Sequence, residues 1–329
     1  MFGMWKGLSG LLLSAALVGL GSASAPAQTY PSQPIRFVVG FSPGSATDLV
    51  ARYLAEDMRQ RLGQPIVVDN RAGANGSIGA TTVARAAPDG YTILVSNAST
   101  MTTNHLLYKD IKYDPLVDLT PVALVVSAPF VLVINPDNPK TKSVQNFADF
   151  VKLAKSKPDQ INYGSGGVGN LAHLAGELLG ATIGARMVHV PYPGAAPAQA
   201  ALLSGEVDAV FDTPNGVPLV KSGRLKALAV STAARWRDLP DVPSVAESGY
   251  PAFAVSFWTG VVAPAKTPQP VIDALYKAIA AATEDPKTKE QLLTQGNIDL
   301  LDGAAFRKKI AHEGELNAEV LKKAGIAKQ

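Results

Sequence analysis

The chain has 329 residues, of which 47% are hydrophobic and 17% charged, so its length allows a sizeable core and about two domains. The formal net charge is only +3, aromatic residues make up 7%, and Lys and Arg form no cluster, so nucleic-acid binding is not indicated. The absence of cysteine excludes disulfide bonds and thiol-linked lipid anchors.

Residues 1–27 are typical of a secretory signal peptide. Lys6 supplies the positive charge, Leu8 to Leu20 form the apolar segment, and small residues up to Ala27 form the cleavage site. An uncleaved membrane anchor is the alternative, but the apolar segment is shorter than the roughly 20 residues that span a bilayer. We therefore expect cleavage after Ala27 and a periplasmic location.

Short apolar runs alternate with helical patterns along the rest of the chain, which is typical of α/β folds. The first helix is predicted from about Thr47 to Leu62, because apolar residues recur at every fourth position, and Gly63 ends it. Eight strands are predicted: Ile35 to Phe41, Ile66 to Asp69, Thr92 to Ser96, Phe130 to Ile134, Ile161 to Tyr163, Val188 to Val190, Ala209 to Phe211 and Leu225 to Val230.

Two apolar stretches, Val122 to Ile134 and Phe253 to Pro264, are predicted to cross between two domains. The first domain is then discontinuous and comprises residues 28–126 and 255–329, while the second comprises residues 127–254. Two antiparallel crossings form a hinge that permits closure around a ligand. The first domain is completed by three predicted helices: about Gln269 to Thr283, Lys287 to Gln295 and Ala304 to Lys323.

Two Gly/Pro-rich turns, Phe41 to Arg52 and Tyr163 to Glu177, each follow a strand and begin a helix. The N-terminus of a helix has unpaired N–H groups and a partial positive charge, so the two turns together predict a carboxylate clamp. Asp48 is interpreted as a helix cap or as a ligand contact. The ligand contacts predicted from the first turn are Phe41, Pro43, Gly44, Ser45, Ala46, Thr47 and Asp48.

The second turn contains GSGGVG, which matches the dinucleotide-binding pattern, and an NAD-dependent enzyme is therefore one alternative. That pattern needs an acidic residue about 20 positions later, and the strand from Val188 to Tyr192 has none. The glycines are interpreted instead as allowing a ligand to approach the backbone, with a tight structural turn as the architectural alternative. The predicted contacts here are Ser165, Gly166, Gly167, Gly169 and Asn170.

Other polar residues follow strands at the edge where ligands bind in α/β sheets. The additional predicted contacts are Asn97, Ser99, Tyr192, Gly194, Ala195 and Asp212. Asp212 is interpreted either as a partner for an ammonium or hydroxyl group of a ligand, or as a cap for the turn before Pro214. The glycine-rich loop that begins at Arg71 is interpreted as a structural turn into a helix.

Four histidines are present, but no spacing of them is typical of a metal site. His173 is predicted to pack beneath the glycine loop rather than to bind a metal. The G-x-S-x-G motif of serine hydrolases is also absent. We therefore expect no metal, no cofactor and no enzymatic activity.

Several motifs, in their order and spacing, resemble the tripartite tricarboxylate transporter substrate-binding proteins, the Bug family. The resemblance covers the whole chain after the signal peptide. It rests on Pro43-Gly44 through Asp48 to Ala51-Arg52, on Ala87 to Thr92, on Val190-Pro191-Tyr192, on Gly205 to Asp208 and on Leu239 to Gly249. Four positions depart from the family pattern: Ser45 and Asn75 replace Gly, Asn170 replaces Ser, and Pro193 replaces Lys or Arg.

The resemblance implies an α/β, two-domain periplasmic binding protein of type II-like, Venus flytrap architecture with two crossing hinge strands. It implies that a carboxylate is held by the loop after the first strand and by Gly164 to Asn170, through backbone groups and ordered waters. A monomeric receptor would deliver this carboxylate to the large and small integral-membrane subunits of an ion-coupled permease. The alternative is a receptor that signals through a membrane sensor.

Overall fold

The computed structural model describes residues 30–323, 326 and 328, and the predicted signal peptide lies outside this part of the chain. Within it the strands are β1 Ile35–Val39, β2 Ile66–Asn70, β3 Thr92–Asn97, β4 Leu119–Pro129, β5 Val131–Ile134, β6 Asn162–Ser165, β7 Val188–Pro191, β8 Ala209–Asp212, β9 Lys226–Val230, β10 Ser256–Pro264 and β11 Asn297–Asp302.

The helices lie between these strands and on the faces of the sheets. They are α1 Ala46–Leu62, α2 Ser77–Ala84, α3 Ala98–Thr102, α4 Asn104–Leu107, α5 Phe147–Ser156, α6 Leu171–Ile183, α7 Ala195–Ser204, α8 Val217–Lys221, α9 Gln269–Glu284, α10 Pro286–Leu293 and α11 Gly303–Lys323. Within the described residues, none of these helices is long and apolar enough to cross a membrane.

The strands form two mixed sheets. The first has the order β11-β4-β10-β3-β1-β2, with β1 parallel to β2 and β3 and with β10 antiparallel to β3 and β4. The second has the order β7-β6-β8-β5-β9, with β6 parallel to β7 and β8 and with β5 antiparallel to β8 and β9. The parallel strands direct their carboxyl ends, and the loops that follow, toward one edge of each sheet.

The apolar spacing of α1 determines how this helix packs. Val50, Leu54 and Met58 are fully buried in the core that α1 shares with β1 and β3, while Leu62 is only partly buried. Gly63 ends the helix with φ 66° and ψ 14°, in the left-handed region that glycine adopts without a steric penalty. The predicted start and end of α1 are confirmed to within one residue.

The chain passes between the two sheets twice. Only Phe130 separates β4 from β5, and Ser231 joins this passage to the return passage: its N–H donates to Phe130 O at 2.9 Å and its Oγ donates to Val255 O. All eight predicted strands are present with ends shifted by at most two residues, and β11 is an additional strand. The division of the chain at 126/127 and 254/255 into two domains stays a prediction.

The last described helix connects elements of both sheets. α11 packs against β4 of the first sheet and against α6, which belongs to the second. Trp258 on β10 packs edge-on against Phe306 on α11, and its Nε1 donates to Glu313 Oε2 at 2.6 Å.

Candidate functional site

A cavity of about 820 Å³ lies between the two sheets. The loops after β1, β2 and β3 form one side, called here the first wall, and the loops after β6, β7 and β8 form the other, called the second wall. This is the carboxyl edge of the strands, where ligands bind in α/β sheets.

Most of the predicted contact residues line this cavity. Those on the first wall are Phe41, Pro43, Gly44, Ser45, Ala46, Thr47, Asn97 and Ser99, and those on the second wall are Ser165, Gly166, Gly167, Asn170, Tyr192, Gly194, Ala195 and Asp212. Two do not line the cavity: Asp48 and Gly169.

Asp48 is buried beneath the first turn of α1. Its carboxylate accepts hydrogen bonds from the Gly44 N–H (2.8 Å), from Arg52 Nε (2.9 Å) and from the Asn70 amide (2.8 Å). Burial alone would raise the pKa of Asp48, but these hydrogen bonds and the charge of Arg52 lower it below its usual value. These bonds favour the structural role predicted for Asp48, which organises the loop that carries the wall, while its contact with a ligand stays a prediction.

Gly169 shapes the second wall without reaching the cavity. Its φ of 75° lies in the left-handed region, and a Cβ at this position would overlap Leu107. Its N–H donates to His173 Nδ1 at 3.0 Å, so the imidazole lies beneath the glycine loop, as predicted. These contacts indicate a structural role for Gly169, and its contact with a ligand stays a prediction.

One part of the wall is missing from the sequence prediction. Residues 72–76, interpreted above as a structural turn, line the cavity between β2 and α2. A Cβ on Gly40 would lie 2.7 Å from Gly76 Cα, so this loop packs directly on the backbone of the first turn. Asn75 and Gly76 have left-handed φ values, which mark an unusual loop. In the sequence, the sign of this loop is a Gly-rich stretch.

On the first wall, α1 directs unpaired N–H groups toward the cavity. Ser45 is the N-cap and its Oγ accepts the Asp48 N–H at 3.3 Å. The N–H groups of Ala46 and Thr47, in the first turn, fall outside the helical hydrogen-bond ladder, and both residues line the cavity. This arrangement provides donors and a partial positive charge for an anion.

On the second wall, two more helices begin at the cavity. Asn170 caps α6 by accepting the Ala172 N–H at 2.7 Å, while Gly194 precedes α7 and provides no side-chain cap. Gly166 lies where the two helix starts meet, because a Cβ there would lie 3.2 Å from Ala195 N and from the Asn170 amide. The second wall therefore has two helix N-termini in contact with one small backbone turn.

The wall carries almost no charge. Among the described residues that line the cavity there is no Lys, Arg or His, and Asp212 is the only charged side chain. Aromatic rings supply an apolar surface: Phe130 and Phe257 meet edge to face at 6.1 Å, and Phe41 and Phe211 also line the cavity. A ligand with an anionic end and a hydrocarbon body matches this combination of helix N-termini and rings.

Asp212 lies on the cavity wall, and its role as a partner for a ligand stays a prediction. It is 2% exposed at the end of β8 and lines the cavity. Its Oδ1 accepts the Thr213 N–H at 2.8 Å and its Oδ2 accepts Gln199 Nε2 at 2.6 Å. Burial outweighs these two hydrogen bonds and raises the pKa of Asp212 to about 6.

A pair of histidines lies behind the second wall. Ser165 Oγ and His189 Nε2 are 2.7 Å apart, and the rings of His189 and His173 are stacked with centroids 3.8 Å apart. Burial, and for His173 also the charge of its neighbour, lowers the pKa to about 3 for His173 and about 4 for His189. Both rings are therefore neutral near pH 7, and no described group of acidic or histidine side chains has the arrangement of a metal site.

The two walls touch at one side of the cavity. Tyr108 OH donates to Val168 O at 2.6 Å, and the Leu171 N–H donates to Ser99 Oγ at 3.1 Å. Each bond joins a residue of the loops around α3 and α4 to the start of α6. The first bond is made by an aromatic side chain that also lines the cavity.

Comparison of the chain with known proteins identifies a matching family. Residues 50–325 match the model described as tripartite tricarboxylate transporter family receptor, TctC. Protein BugT of Bordetella pertussis (strain Tohama I) is 39% identical over 277 residues, which cover 84% of each chain.

Solved structures extend this similarity to the whole fold. The periplasmic binding protein BugD is 39% identical, with a TM-score of 0.81 over 91% of this chain and 100% of that chain. The R. palustris protein Rpa4515 with adipate is 32% identical, with a TM-score of 0.83 over the same shares of the two chains.

Proposed function

This chain belongs to the tripartite tricarboxylate transporter family of receptors, and we propose that it captures a small carboxylate in the cavity between its two sheets. The observation that carries the proposal is the opening of three helix N-termini, those of α1, α6 and α7, onto a wall without cationic side chains. Backbone N–H groups then bind the anion, as Lys or Arg side chains do in other anion sites.

The strength of such a site is sufficient for a receptor. A hydrogen bond to a charged group contributes about 1.5–3 kcal/mol. Four of them at the upper value give about 12 kcal/mol, which leaves about 4 kcal/mol for ordering the ligand and closing the walls at the roughly −8 kcal/mol of micromolar binding. The N–H groups of Ala46, Thr47 and Gly166, together with the side-chain amide of Asn170, would supply these bonds.

The cellular setting follows from the same relatives. BugD is described as a periplasmic binding protein, and Rpa4515 is described with adipate, a small carboxylate. We infer that this protein is exported through its signal peptide to the periplasm. There it would pass its ligand to the large and small membrane subunits of a permease, the partners implied by the family name.

Capture would involve closure of two domains. The passages at Phe130 and Val255, joined through Ser231, are the places where small backbone rotations would move one sheet relative to the other. The hydrogen bonds of Tyr108 and Ser99 to the start of α6 would stabilise the closed arrangement.

The proposal is tested by thermal unfolding of residues 28–329, refolded to remove any co-purified ligand, against a panel of small carboxylates. A ligand at 100 times its Kd stabilises the native state by about 2.7 kcal/mol. That corresponds to an increase in Tm of about 5 °C for a chain of this size. The matched control is the neutral amide of each acid, and equal shifts by acid and amide would contradict a carboxylate clamp.

A further inference from the structure

Asp212 occupies an unusual position for a site that binds an anion. It is the only charged side chain among the described residues of the cavity wall, and it has the same sign as a carboxylate ligand. Both of its partners, Gln199 and the Thr213 N–H, are neutral donors. A carboxylate has about four acceptor sites, so the group retains capacity for a further donor.

The surroundings of Asp212 contain no compensating cation. Val131 is its partner on β5, and Gly216 lies so close that a Cβ there would overlap its carboxylate. Gln199 faces it from α7, and no charged side chain contributes to its pKa. Glu206, which does not line the cavity, accepts from Tyr192 OH at 2.9 Å in an exposed pair.

On the basis of the proposed carboxylate receptor, we propose that Asp212 determines which chemical group the ligand carries at its far end, meaning the end that is not held by α1. The receptor would take a carboxylate that carries a hydroxyl or ammonium donor at that end. It would discriminate against one that carries a second ionised carboxylate there.

The chemistry of a buried carboxylate supports this selection. A hydroxyl or ammonium group donates to an ionised acceptor in a strong, charge-assisted hydrogen bond. A second ligand carboxylate instead meets a like charge in a place where water does not screen it. A site built around a buried hydrogen-bonding group rejects a mismatched analogue strongly, because that group is left unpaired.

The protonation state of Asp212 makes the selection pH-dependent. Its pKa is raised to about 6 by burial, so it is ionised at pH 7.5 and partly protonated at pH 6. When Asp212 is protonated, its O–H donates a hydrogen bond to a ligand carboxylate. Discrimination against dicarboxylates should therefore weaken as the pH falls toward 6.

The experiment compares carboxylates with three to six carbons, each with a carboxylate, a hydroxyl or an ammonium group at the far end. Kd is measured by calorimetry at pH 7.5 and pH 6 for the native chain and for Asp212→Asn. The matched control is Asp208→Asn. Asp208 is also 2% exposed and immediately precedes β8, but it binds Lys140 and the Asn162 N–H and does not line the cavity.

At pH 7.5 the hydroxyl or ammonium acid should bind the native chain at least about tenfold more tightly than the dicarboxylate of the same length. This ratio should shrink at pH 6, and Asp212→Asn should abolish both the ratio and its pH dependence, while Asp208→Asn should preserve them. Equal affinities at pH 7.5, or the same selectivity in Asp212→Asn, would overturn the assignment of Asp212 alone. Failure of every acid to bind would overturn the carboxylate receptor and this inference with it.

Discussion

The two walls of the cavity each contain one buried aspartate, and the two aspartates behave in opposite ways. Asp48 beneath the first wall and Asp212 on the second wall are 1% and 2% exposed. Asp48 is bonded to Arg52, and its pKa is lowered, whereas Asp212 is bonded only to neutral donors, and its pKa is raised to about 6. At Asp48 the hydrogen bonds and the charge of Arg52 outweigh desolvation, whereas at Asp212 desolvation is deeper, is not offset by a cation and outweighs the two neutral donors.

We interpret this difference as a structural role for Asp48 and a binding role for Asp212. A buried carboxylate with a cation and two well-placed neutral donors stabilises the loop that presents α1 to the ligand. A buried carboxylate without a cation destabilises the fold when it is ionised, and such a cost is typical of residues retained for binding. Four predictions test whether the two walls differ in this way.

The largest effect is expected at Asp48. Asp48→Ala removes the acceptor for Gly44 N–H, Arg52 and Asn70, and leaves these donors without their buried partner. Because Arg52 is half exposed, we expect a loss of about 3 kcal/mol, at the low end for a broken buried pair. Urea unfolding measures this change, and a loss under about 1 kcal/mol would mean that the Asp48 cluster does not hold the first wall.

The pH dependence of stability should have opposite signs at the two aspartates. The folded pKa of Asp212 is above its ordinary value, so stability falls as the pH rises from about 4 to about 6, by about 2–3 kcal/mol in total. The folded pKa of Asp48 is below its ordinary value, so its stabilisation is present above about pH 4 and is lost as the pH falls through the folded pKa.

The free energy of unfolding between pH 3 and pH 8, measured for the native chain and for Asp212→Asn, isolates the second wall. The native chain should lose stability relative to the variant as the pH rises from 4 to 7. Parallel profiles would show that Asp212 has an ordinary pKa and that the contrast between the walls is absent.

The next effect concerns a single backbone donor. Ala46 is the first residue of α1, where proline is tolerated, and Ala46→Pro replaces its N–H, at a position that lines the cavity, with a ring carbon. Ligand affinity should fall by about 2 kcal/mol, roughly 30-fold, with little change in stability. Ala46→Gly, which keeps the N–H, is the matched control; similar affinities for the two variants would exclude a role for this donor.

The smallest effect is expected where the two walls touch. Tyr108→Phe removes the hydrogen bond to Val168 O and keeps the ring. We expect Kd to rise about fivefold, the loss of one neutral hydrogen bond worth about 1 kcal/mol in the closed state. Stopped-flow binding should show this mainly as faster dissociation, and an unchanged dissociation rate would argue against Tyr108 as a closure contact.

Much of the fold is predictable because it rests on local patterns. The apolar spacing of Val50, Leu54 and Met58 indicates the buried face of α1, and Gly63 marks its end. The strand β11 was not predicted, because Asn297–Asp302 is a half-buried edge strand with two acidic residues and pairs only with β4. Its strand conformation depends on that neighbour rather than on its own composition.

The sequence predicts those parts of the site in which a helix begins directly after a strand. The turns that precede α1, α6 and α7 are visible as Gly/Pro-rich segments, and they supply most of the wall. The loop at residues 72–76 is held in the wall by residues that are distant in sequence, because it packs on Gly40 and Asn75 O accepts from Thr100 Oγ1 and from the Asn104 amide. The burial of Asp48 away from the cavity likewise depends on Asn70, a residue of the neighbouring strand.

The central claim is that backbone N–H groups at helix N-termini bind a carboxylate without a cationic side chain. It is tested most directly by calorimetric titration of ligand-free residues 28–329 with the acid that stabilises them most, and with the neutral amide of the same acid. The account predicts micromolar binding of the acid and binding of the amide weaker by at least about 100-fold. Equal affinity for the acid and its amide would contradict it.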